Sequence, residues 1–92
     1  MNRHQPPDIR EIVMREILRY LIEHPGAKDT LTGINKWWLV INEGEWGKAV
    51  VQEALDLLVE RGWLTVRRMF SLRRIYGLDP TRLEEIRAFL NR

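Results

Sequence analysis

The apolar residues of this chain change their period once, at Gly62, and that change limits the architectures open to it. Upstream, Ile9, Ile12, Val13, Ile17, Leu21 and Ile22 recur at steps of three and four, which places them on one face of an α-helix. Val50, Val51, Ala54, Leu57 and Leu58 repeat that spacing as the inward face of a helix expected from Trp46 to Arg61. Downstream, Trp63–Arg68 and Arg73–Leu78 are rich in β-branched and aromatic residues and alternate in character, as strands do. Only Met69-Phe70-Ser71-Leu72 separates them, a gap of hairpin size without the usual turn residues.

Local signals mark the ends of these elements. Pro7 or Asp8 suits the start of the first helix, and His24-Pro25-Gly26 stops it, with glycine free to take left-handed geometry. Asp29 or Thr30 can cap a short second helix, in which Leu31, Ile34, Trp38 and Ile41 share a face and Trp37 sits at its edge. Gly33 inside that helix costs about 1 kcal/mol against alanine, which points to close packing against another helix. Asn42-Glu43-Gly44-Glu45 reads as a turn. Gly62 reads as the left-handed residue closing the third helix. Asp79-Pro80 opens a fourth helix, made amphipathic by Leu83, Ile86, Phe89 and Leu90. The expected fold class is therefore α+β and mostly helical. A tail, residues 1–7, precedes one domain over residues 8–92.

Composition narrows the function classes. A chain of 92 residues has room for one domain, and its 45% hydrophobic content falls in periodic blocks. No apolar stretch approaches the roughly 20 residues of a membrane helix, so no membrane role is expected. The N-terminal residues lack the apolar centre of a signal peptide. Cysteine is absent, which excludes disulfides and thiolate metal sites and suggests a cytoplasmic protein. The only serine, Ser71, and the two histidines, His4 and His24, form no nucleophile–base pair or metal cluster. Neither an enzyme nor a cofactor is expected. The net charge of +2 says little, but its distribution says more. From Gly62 to Leu78 there are four arginines and no acid, whereas Glu43 to Glu60 holds five acids and only Lys48.

The order helix, helix, helix, hairpin, helix resembles the winged helix-turn-helix superfamily of bacterial transcription regulators. The most specific stretch is Ala54-Leu55-Asp56-Leu57-Leu58-Val59-Glu60-Arg61-Gly62-Trp63-Leu64, which looks like the end of a recognition helix, its glycine cap and the first wing strand. Arg74-Ile75-Tyr76-Gly77-Leu78 looks like the returning strand. The resemblance covers about residues 8–78. It implies a three-helix core, a two-stranded β wing and a C-terminal helix, with double-stranded DNA as partner. The third helix would enter the major groove and the wing would lie along the phosphates. Residue by residue, Lys48 and Gln52 would read bases, and Arg67, Arg68, Arg73 and Arg74 would hold phosphates.

Against that reading, Glu45 just before the third helix and Glu53, Asp56 and Glu60 along it put negative charge at the same place. The four arginines could also belong to an ordinary solvated hairpin that resists edge pairing. The alternative function keeps the scaffold as a protein-interaction module without DNA binding. Trp37 or Trp46 would be its exposed aromatic, joined by Phe70 and Leu72, with Met69, near the hairpin tip. The fourth helix either covers the first or pairs with its equivalent in a homodimer. Within the hairpin, Leu64, Val66 and Tyr76 are expected to face the helices, and Thr65 and Ile75 to face away.

Overall fold

The computed structural model describes residues 8–39, 47–70 and 73–92. The expected tail 1–7, the turn at 42–45, Ile41, Trp46, Ser71 and Leu72 lie outside the described residues.

Helix α1 (Ile9–Glu23) begins where the Asp8 carboxylate accepts from the backbone N–H of Arg10 at 2.9 Å, filling one of the donors a helix start leaves open. It buries Val13, Met14, Ile17, Leu18 and Leu21, while Ile9, at the near end of the stripe, stays exposed. The His24 N–H closes the helix on the Tyr20 carbonyl at 2.9 Å, and Pro25 prevents continuation. Gly26 does not take the left-handed conformation expected of it. Among the described residues Gly62 is the one glycine with positive φ.

A short strand that the residue pattern does not announce follows, β1 (Lys28–Asp29). Thr30 then caps α2 (Leu31–Gly33), its hydroxyl accepting from the Gly33 N–H at 3.2 Å. Asp29 therefore lies in the strand and is not the cap. A Cβ on Gly33 would collide with the Asp29 carboxylate, so the close neighbour that explains this glycine is a side chain and not a second helix. The chain runs directly from α2 into a π-helical turn, Ile34–Trp38, which buries Ile34 and Trp38 and leaves Trp37 63% exposed. Trp38 stacks on Tyr20 of α1 at 4.8 Å between ring centroids.

Helix α3 (Lys48–Glu60) is shorter at both ends than the periodicity suggested. It buries Val51, Ala54, Leu55 and Leu58, with Val50 and Leu57 half-buried against the core. Its end is a double hydrogen-bonded cap. The Gly62 N–H reaches the Val59 carbonyl at 2.9 Å and the Trp63 N–H reaches the Leu58 carbonyl at 3.0 Å. Gly62 sits at φ 80°, a conformation that costs glycine little and β-carbon residues more.

Strands β2 (Leu64–Arg68) and β3 (Arg74–Leu78) pair antiparallel, with Leu64 opposite Leu78 and Val66 opposite Tyr76. β1 adds to the far edge of β3, Lys28 opposite Gly77, so the sheet has three strands in the order β1-β3-β2 where two were expected. Asp79 caps a 3₁₀ turn, Pro80–Arg82, which leads into α4 (Leu83–Leu90). Ile86 and Phe89 of α4 are buried, and Arg15 of α1 donates to the Phe89 and Leu90 carbonyls at 3.1 and 3.4 Å. The apolar face of α4 packs on α1 within the chain.

The fold is thus a small α+β domain, mostly helical, with a three-stranded antiparallel sheet and one buried hydrophobic cluster. Among the described residues no helix is long and apolar enough to cross a membrane.

Candidate nucleic-acid interface

Strand alternation distributes the hairpin's cations. Arg68 lies opposite Arg74, on the side of the sheet that carries Val66 and Tyr76. Arg67 lies opposite Ile75, and the Met69 N–H bonds the Arg73 carbonyl at 2.9 Å, which puts Arg67 and Arg73 on the other side. All four arginines are exposed. Among the described residues none of their guanidinium groups has a salt-bridge or hydrogen-bond partner.

Exposure rises along the described part of the hairpin away from its base. Leu64 and Tyr76 are buried as expected, and Thr65 is exposed. Val66, on the side of the sheet that carries Tyr76, is nevertheless 41% exposed, and Ile75 is half-buried instead of turned fully outward. The reason for Val66 is reach: it lines an open cleft of about 390 Å³ with Asp56, Val59, Arg68, Arg74 and Tyr76, beyond the end of the packed core. A second cleft, of about 640 Å³, runs between the start of α2, Gln52 and Arg73–Arg74. Beyond the last described backbone pair, Phe70 is fully exposed at 104%, and Met69 beside it is 49% exposed.

The outer face of α3 is mixed. Lys48 is exposed at its first turn. The Gln52 amide donates to Asp56 Oδ1 at 2.9 Å and to Tyr76 Oη at 3.1 Å, so it ties α3 to β3. This tie is a residue role that the spacing does not reveal, because Tyr76 is distant in the chain. Glu53, Asp56 and Glu60 are exposed, and Arg10 approaches Glu53 at only 3.9 Å.

The tryptophans separate sharply. Trp38 and Trp63 are buried, Trp37 is exposed with the Lys36 ammonium 5.2 Å from its ring centroid, and Trp46 is outside the described residues. Trp63 donates its ring N–H to Glu85 Oε1 at 3.0 Å. That bond, aided by the positive charge of Arg82 and opposed by partial loss of solvent, holds the Glu85 carboxyl below its ordinary value of 4.5. His24 lies with its ring 4.4 Å from that of Tyr20 at the end of α1.

In comparisons with known proteins, no family model matches the chain and no curated protein matches it.

Proposed function

We propose that this chain is a winged helix-turn-helix domain that binds double-stranded DNA through the basic hairpin β2–β3, in the manner of a transcriptional regulator or its DNA-binding part. The observation that carries this reading is the set of four exposed arginines on the hairpin, without a salt-bridge or hydrogen-bond partner among the described residues, in a stretch without an acid. Guanidinium groups left without partners are free to displace the counterions of a phosphate backbone, the largest sequence-independent contribution to DNA affinity. The helix order and the glycine-capped end of α3 agree with the resemblance drawn from the sequence.

On this reading the hairpin does most of the binding and α3 little. Lys48 can reach DNA, but the Gln52 amide nitrogen already donates to Asp56 and Tyr76, so a bidentate reading of adenine would require it to give up those bonds. Glu53, Asp56 and Glu60 repel phosphates from the same face. Exposed Trp37 and Phe70 support the alternative, a protein-interaction module built on the same scaffold, because aromatics concentrate at binding hot spots. A fluorescence-anisotropy titration with generic duplex DNA separates the two. Expected is binding whose affinity falls steeply between about 50 and about 200 mM salt. No binding at the lower salt would refute the DNA reading and leave the protein partner.

A further inference from the structure

We propose that the cleft between α3 and the sheet is a binding site for a free α-amino acid with an aliphatic side chain. Such a site stands whether or not the chain binds DNA, although both would use Arg68 and Arg74.

The cleft holds about 390 Å³ and is lined by Asp56 and Val59 of α3 and by Val66, Arg68, Arg74 and Tyr76 of the sheet. Ligand sites run from about 300 to about 1,000 Å³, so this one suits a small metabolite. Three features of the lining specify its chemistry.

The first is a pair of like charges. Arg68 and Arg74 lie directly opposite each other across the two strands, and neither has a salt-bridge or hydrogen-bond partner among the described residues. Like charges so placed destabilise a sheet, and an anion held by both removes that cost. Guanidinium forks match a carboxylate, which accepts paired N–H bonds from each.

The second is the opposite charge on the facing helix. The Gln52 amide donates to Asp56 Oδ1 at 2.9 Å and to Tyr76 Oη at 3.1 Å, which braces α3 against β3 across the cleft. Asp56 Oδ2 has no hydrogen-bond partner among the described residues, and no salt bridge joins Asp56 to either arginine. One cleft thus holds two cations and an anion that do not meet. An α-amino acid carries a carboxylate and an ammonium on a single carbon and serves both, the carboxylate on the arginines and the ammonium on Asp56. A plain carboxylate would leave Asp56 without a counter-charge, and a plain amine would leave the arginines so.

The third is the apolar remainder: half-buried Val59, Val66 at 41% exposure and the ring of Tyr76. Covering this surface with an aliphatic side chain removes it from water.

The test titrates the full chain, without DNA, with leucine and with analogues that each lack one group. Isocaproate lacks the ammonium, isoamylamine the carboxylate and glycine the side chain. Saturation-transfer NMR reads the binding of each. Expected is saturable binding of leucine at about millimolar concentration, with each analogue about tenfold weaker. Asp56→Asn keeps an acceptor for Gln52 and should bind leucine no better than isocaproate. Arg68→Gln combined with Arg74→Gln should bind neither. Both variants should melt as the native protein does, because all three side chains are exposed. Equal binding of leucine and isocaproate by the native protein would overturn the amino-acid site in favour of a general anion contact. No saturable binding of leucine, or undiminished binding by the double arginine variant, would overturn it outright. None of these results bears on duplex binding, which is read separately by anisotropy.

Discussion

Arginine and phenylalanine occur together at two places in this molecule, and the two clusters differ in burial and in partners. Around Phe89 the guanidinium groups of Arg15, Arg61 and Arg92 lie 4.4, 5.3 and 5.1 Å from the ring centroid. The ring is buried against Trp63, and Arg15 is anchored by Glu11 and by the last carbonyls of α4. At the hairpin, Phe70 is open to solvent and its neighbouring arginines have no partner among the described residues. The same residue types therefore serve as packing at the closure of α4 on α1 and stand open to solvent at the hairpin. What separates them is whether acceptors and apolar surface lie within reach, and the fold alone supplies those.

The largest expected effect tests that contrast directly. Phe89→Ala should destabilise the domain by about 3–5 kcal/mol, the usual range for a buried phenylalanine, in denaturant titrations. Phe70→Ala should stay within about 0.5 kcal/mol of native. Comparable losses at both positions would show that the hairpin tip is packed and would end the comparison.

Next comes the double substitution Arg67→Ala with Arg73→Ala, two residues on one face of the ribbon. If both hold phosphates, the slope of log affinity against log salt should shrink by about 1.8. Any sequence preference should survive, because phosphate contacts do not read bases. Thermal stability should be unchanged, and a clear drop in melting temperature would place these arginines with Arg15 as structural.

Arg15→Ala should lose about 1–3 kcal/mol, through its charged hydrogen bonds to the end of α4 and its contact with Phe89. DNA affinity at fixed temperature should not move. A weakened affinity with native stability would mean that the α1–α4 side also touches the ligand.

The smallest effect is a pH dependence. Glu85 is held below its ordinary carboxyl value of 4.5, first by the Trp63 N–H and then by Arg82. Asp8 is lowered by its hydrogen bonds with Arg10, and Asp79 by those with Thr81. A carboxyl whose value is lower in the folded than in the unfolded chain stabilises the fold above its ordinary value. That contribution is lost as pH falls through the folded value. The unfolding midpoint followed by tryptophan fluorescence should therefore decline from about pH 4.5 downward. Glu85→Gln should make that decline shallower, leaving the portion due to Asp8 and Asp79. Parallel declines in variant and native protein would remove Glu85 from the account.

Much of the fold was legible because its signals are local. Asp8 and Asp79 cap the elements they precede, and Gly62 takes the one positive φ among the described residues. The apolar stripes of α1, α3 and α4 point to the core. Each of these depends on neighbours within a turn or two of helix. The candidate interface was legible in composition, as four arginines in an acid-free stretch, but not in its state. That the arginines have no partner among the described residues, and that Gln52 is engaged, depends on which residues from elsewhere come near.

By itself, then, the sequence determined where α1 begins, where α3 is capped at Gly62, where the period turns from helical to extended, and which charges the hairpin carries. Tertiary structure decided the rest. Lys28–Asp29 become a strand because β3 offers an open edge, since two residues carry no periodic signal of their own. Of the adjacent Trp37 and Trp38, the π-helical turn and the Tyr20 ring select the second for the core. Val66 shares Tyr76's side of the sheet yet stays exposed because the core ends before reaching it. Alternation along a strand sets the side a residue faces, but burial requires a neighbour on that side, and only the assembled fold provides one.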